Sequence, residues 1–132
     1  MIVVDTHVAV WMTTGTRFGR RSMSILNKAL NEDRLAISAI SFWEMAMLVA
    51  KGRLRALRSA TEQRVKILAT GFRELPLTGE ICILAGELDG LHTDPADRLI
   101  VASAIALDAT LVTADERLLG WRHALKRQNA EQ

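Results

Sequence analysis

Short β-branched runs alternate along the chain with longer segments in which apolar residues recur every three or four positions. Ile2–Val4, Leu35–Ser38, Phe72–Leu77 and Thr110–Val112 read as strands. The first is apolar throughout, as in a strand covered on both faces. Pro76 places the third near a sheet edge. Helices are predicted over Thr6–Met12, Arg21–Asn31, Ser41–Lys51, Ala60–Thr70, Thr78–Leu88 and Pro95–Leu107, with a last one over Ala114–Leu119. Gly52 and Gly71 stop two of them. From Gly120 the chain is basic and polar, shows no strand pattern and is expected to fray. This alternation predicts an α/β fold with a mostly parallel central sheet. Ligands of such sheets bind beyond the carboxyl ends of the strands, so that edge is where chemistry is sought.

Composition narrows the class. The chain has 132 residues, which suits a single domain over 1–132. At 49% hydrophobic residues and a net charge of +2, it is not a disordered chain. Cys82 is the sole cysteine, which excludes a disulfide scaffold and fits a reducing compartment. No apolar run is long enough to span a bilayer, and the start lacks a basic region and carries a carboxylate at Asp5, unlike a signal peptide. The expectation is a cytoplasmic globular protein without a membrane partner. Charge is unevenly spread. Seven basic residues and one acid lie between Ala50 and Arg73, and six acids with no Lys or Arg lie between Glu74 and Asp97. A basic stretch of that kind is able to hold a polyanion beside an acidic pocket, although two solvated faces of opposite sign give the same pattern.

The acids at the predicted strand ends carry the chemistry. Asp5 follows the first strand, Glu44 lies in the first turn of the helix after the second, Asp97 opens the longest helix and Asp115 follows the last strand. Capping boxes account for some of them singly: Ser41 with Glu44, Asp94 with Asp97, and Thr113 with Glu116. Capping explains neither Asp5 nor, with Glu116 present, Asp115. Acids converging from separate strand–helix junctions repel one another, so either some stay protonated or a cation lies between them. Oxygen donors without a thiolate suit Mg²⁺ or Mn²⁺. Other candidates are plainer. Cys82 reads as core, as do Trp11, Trp43 and Met47, and His7, His92 and His123 lack metal or triad spacing. No Gly-rich phosphate loop is present.

The phrases IVVDTHVAVWM, ISAISFWEMAMLVAKGRL, RELPLT and LHTDPADRLIVASAIALDATLVTADERLL, in that order, resemble PIN-domain ribonucleases, in particular the VapC-type toxins of bacterial toxin–antitoxin pairs. The resemblance covers about residues 1–119 and leaves 120–132 as a basic tail. It implies a three-layer α/β/α sandwich and a metal-dependent endoribonuclease. Asp5, Glu44, Asp97 and Asp115 would then hold one or two Mg²⁺ or Mn²⁺ ions, with Thr6, Asp94 and Thr113 around them. Lys51, Arg53, Arg55, Arg58, Arg64 and Lys66 become candidates for holding RNA. The resemblance further implies a homodimer and a cognate antitoxin, joined in a heterotetramer or larger assembly.

Two other functions compete: a catalytically silent RNA-binding PIN-like module, and a metal-dependent DNA or flap nuclease. A phosphoacceptor receiver domain fits poorly, since Val4 precedes Asp5 and no Lys follows the last strand at Thr113–Asp115.

Overall fold

The computed structural model describes residues 1–15, 18–53 and 59–132. In chain order the elements are β1 (Ile2–Val4), α1 (Thr6–Thr14), α2 (Arg20–Asn31), β2 (Leu35–Ser38), α3 (Ala39–Ala50) and α4 (Ala60–Thr70). There follow β3 (Arg73–Leu75), α5 (Gly79–Glu87), α6 (Pro95–Ala106), β4 (Thr110–Thr113), α7 (Glu116–Leu119) and β5 (Arg127–Asn129).

Among the described residues five strands form one sheet in the order β3-β2-β1-β4-β5, and every pairing between them is parallel. Parallel neighbours require crossovers, and the helices supply them. Side chains alternate across each strand, so adjacent residues serve opposite layers. Val4, Leu35, Ile37 and Val112 pack with Val8, Leu26, Met45 and Ile67 of α1 to α4. Val3, Ala36 and Leu111 pack on the other side with Ile100, Val101 and Leu118 of α6 and α7. The result is the α/β/α sandwich expected from the sequence. β1 is central, and the chain moves outward from it first through β2 and β3, then through β4 and β5. The direction of winding therefore reverses between β1 and β4, which is where an open parallel sheet forms its ligand crevice. Among the described residues, no helix is long and apolar enough to cross a membrane.

Several boundaries differ from those expected. α3 begins earlier, with Ser38 rather than Ser41 as its cap; the Ser38 side chain accepts the Ile40 N–H at 3.2 Å. Cys82 is exposed, and its neighbour Ile83 is 64% exposed. α5 packs chiefly against α6 and, of its own residues, buries only Ala85, so its apolar run is not core. Trp43 and Met47 also face solvent rather than the core, while Trp11 is half-buried against His7 and Phe18.

The tail does not fray. β5 lies beside β4 with Leu111, Val112 and Thr113 opposite Arg127, Gln128 and Asn129. Its polar side chains each find partners, which is why no hydrophobic alternation announces the strand. The Arg127 guanidinium donates to the carbonyls of Leu118, Leu125 and Trp121. Gln128 Nε2 donates to Ser22 Oγ. Trp121, Leu125 and Ala130 anchor the segment in the interior.

Candidate active site

β1 ends at Val4, and Asp5 caps α1. Its Oδ1 accepts the Thr6 N–H at 2.8 Å, and its Oδ2 accepts the Thr113 hydroxyl at 2.7 Å. Capping thus does account for part of Asp5, contrary to expectation, although Thr113 across the β1–β4 junction holds the second oxygen. The same Thr113 hydroxyl oxygen accepts the Asp115 N–H at 3.0 Å. Thr113 therefore links two acids rather than capping the next helix. Asp115 is itself the cap of α7, accepting the Arg117 N–H at 2.8 Å. Asp94 caps α6, accepting from the Ala96 and Asp97 N–H groups, as expected.

Glu44 and Asp97 have no such duty. The early start of α3 moves Glu44 out of the first turn, so the expected capping box with Ser41 does not form. Instead, the Glu44 carboxylate accepts from the Thr6 hydroxyl, which lies 2.8 Å from Ser41 Oγ. Asp97 Oδ2 stands 2.6 Å from His92 Nε2.

These elements bring Asp5, Thr6, Glu44, Asp94, Asp97 and Asp115 to the wall of one pocket of about 300 Å³. The electrostatics follow from the convergence. Burial pushes the Glu44 carboxyl up to about 7; the Thr6 hydrogen bond opposes this, and the charges of Asp5, Asp97 and Asp94 add to it. Burial also raises Asp97, against its hydrogen bond from His92 and with the repulsion of Asp5, Asp94 and Asp115. For Asp115 burial pushes upward, but the hydrogen bonds and charge of Arg117 prevail and hold the carboxyl below its usual value. Such a pocket favours a positive occupant. His92, Asp97 and Asp115 each offer a ligand atom within 4.8 Å of the others. Oxygen donors with one imidazole fit a divalent ion.

Three residues of this region lie outside the set expected from sequence. His92 reaches Asp97 from the loop before α6. His7 Nε2 accepts the Ala114 N–H at 3.0 Å, stitching α1 to the segment after β4. Arg117 Nη2 lies 3.0 Å from Asp115 Oδ2 and 3.5 Å from Asp97 Oδ2. The signal for His92 was its place two residues before Asp94 in H-x-D-P-x-D, where a capped turn folds it back on the helix.

The basic candidates are dispersed. Lys51 is the residue after α3, beyond Leu48 of the pocket wall, and Arg53 follows it. Arg64 is paired with Glu74 at 2.7 Å and lies over the Phe42 ring. Lys66 lines a separate groove with Trp11 and Phe18. Arg55 and Arg58 lie outside the described residues.

A family model described as PIN domain matches residues 2–121. The chain is 35% identical over 123 residues to ribonuclease VapC22 of Mycobacterium tuberculosis, an alignment covering 92% of each. Its fold is similar to one in the crystal structure of VapBC2 from Rickettsia felis bound to a DNA fragment from their promoter, with a TM-score of 0.70, 23% identity and 98% of each chain covered. A toxin–antitoxin complex from Klebsiella pneumoniae matches with a TM-score of 0.61 and 20% identity, over 92% of this chain and 93% of that one. At these identities the two structures bear on the fold.

Proposed function

The chain belongs to the PIN-domain family, and from that premise we propose that it is a metal-dependent endoribonuclease, the toxin of a toxin–antitoxin pair. The observation that carries the reading is the meeting of Asp5, Glu44, Asp97 and Asp115 in one pocket at the carboxyl edge of the sheet. Glu44 and Asp97 carry the most weight, because no capping role explains them and burial penalises their charge.

In this reading Asp5, Glu44, Asp97 and Asp115 hold Mg²⁺ or Mn²⁺. Bound there, a divalent ion lowers the pKa of a water and offsets charge on the phosphodiester. The chain's own part is to fix the donors. Thr113 holds Asp5 and the backbone at Asp115, and Thr6 holds Glu44. Asp94 keeps the first turn of α6 in place, and with it Asp97. Hydrolysis then needs no side-chain nucleophile; the Thr6 hydroxyl is engaged by Glu44. The acidic pocket repels a phosphate backbone, so RNA is held from outside it. Lys51, Arg53 and Lys66 serve that role in this reading, with Arg55 and Arg58 as further candidates, whereas Arg64 is occupied by Glu74. The partner proposed is a cognate antitoxin, with homodimers of this chain in a heterotetramer or larger assembly. A carboxylate cluster attracts a guanidinium as readily as a metal, as Arg117 illustrates within the chain itself.

The test is incubation of total bacterial RNA, and single-stranded DNA beside it, with the purified chain in Mg²⁺, in Mn²⁺ and in chelator. Discrete RNA fragments that need the metal, with DNA left intact, are expected. No cleavage by folded protein in either metal points to the silent RNA-binding module, and cleavage of DNA points to the DNA or flap nuclease.

A further inference from the structure

The loop between α5 and α6 is bound more tightly than its lack of regular structure suggests. Arg98, on the first turns of α6, spreads its guanidinium over carbonyls of that loop and of the end of α5. Its Nε donates to Ala85 at 2.8 Å, Nη2 to Leu88 at 2.7 Å and Nη1 to Leu91 at 2.9 Å, with a longer bond to the His92 carbonyl at 3.4 Å. From the far side, Trp121 Nε1 donates to Asp89 at 2.8 Å. A loop held at the carbonyls of Leu88, Asp89, Leu91 and His92 delivers the His92 side chain to one place. That place is Asp97 Oδ2, at 2.6 Å. A carboxylate has no hydrogen to give, so Nε2 carries it. Among the described residues no hydrogen bond reaches Asp97 Oδ1.

We propose that His92 is a positioning residue: it pins one oxygen of Asp97, with Arg98 pinning its loop, and so leaves the other oxygen oriented for a divalent ion. The inference rests on the reading that Asp97 is a metal ligand. Hydrogen bonds that orient ligands typically affect metal affinity by about 10–100-fold.

The probe is Mn²⁺ alone. Its affinity is measured by electron paramagnetic resonance for the unsubstituted chain, His92→Ala and His92→Gln, and pulsed resonance reports any nitrogen bonded to the ion. Urea unfolding checks that each variant is folded. The expected result is no directly bound imidazole nitrogen in the unsubstituted chain, about tenfold or greater loss of affinity in His92→Ala, and recovery of most of it in His92→Gln, whose amide still donates. A bound nitrogen would make His92 a ligand and overturn the proposal. So would unchanged affinity in His92→Ala, or equal losses in both variants. The nitrogen measurement needs no variant and decides even where one fails to fold. Failure of the unsubstituted chain to bind Mn²⁺ removes the metal reading and this inference with it, whereas binding indifferent to His92 removes this inference alone.

Discussion

Glu44 and Asp97 differ from the other acids of the pocket in serving no helix terminus. Asp5, Asp94 and Asp115 each accept backbone N–H bonds, so the fold gains something from their charge. Burying Glu44 works the other way. Its carboxyl rises from an ordinary 4.5 to about 7, so between those values the folded chain binds more protons than the unfolded one. Stability must then fall as pH rises through that window. We expect the metal-free protein to lose stability to urea between about pH 5 and 7.5, and Glu44→Gln to regain roughly 1–3 kcal/mol at the upper end. A Glu44→Gln variant no more stable than its parent there would mean that the pocket does not burden this carboxyl. The four acids were legible in sequence because each sits beside a strand end. What each does locally was not, since a shift of three residues in the cap of α3, from Ser41 to Ser38, exchanges a capping role for a pocket role. His92 was hidden for a different reason: its partner is fixed by a loop whose course Arg98 and Trp121 dictate.

At the scale of elements, β1, β2 and β4 were readable because buried parallel strands are written in continuous apolar residues, and α6 because Asp94-Pro95 marks its start. β5 was not, because an edge strand satisfied by hydrogen bonds carries no apolar period. Its consequence reaches across the molecule. α2 has Gly19 at its start and no side-chain cap. The last residues supply what is missing: the Gly19 N–H donates to the Ala130 carbonyl and the Arg21 N–H to that of Gln132, both at 3.0 Å, while the Ser22 hydroxyl donates to the Asn129 carbonyl at 2.7 Å. A Cβ at position 19 would stand 2.0 Å from the Gln132 carbonyl carbon. Gly19→Ala should therefore displace the tail and cost about 1–3 kcal/mol. Deleting residues 130–132 should cost a similar amount, and combining the two should cost no more than the larger alone. Additive losses in urea unfolding would show that the tail and α2 do not act as one unit.

For the whole molecule, the parallel sheet decides where the chemistry lies. Residues 5, 44, 97 and 115 meet because β1, β2 and β4 run the same way and release their chains at one edge, with α6 crossing beneath them. That edge and the reversal between β1 and β4 coincide at one acidic pocket. In the reading proposed above, this pocket hydrolyses RNA with a divalent ion. The most direct measurement is the rate of Mn²⁺-dependent RNA cleavage by Asp5→Asn beside the unsubstituted chain. Asn caps a helix as well as Asp does, so α1 and the fold should survive. A folded variant whose rate falls by about a hundredfold or more is expected, since a lost metal ligand removes several kcal/mol of charge stabilisation. A folded Asp5→Asn chain that cuts RNA at the parent's rate would contradict it.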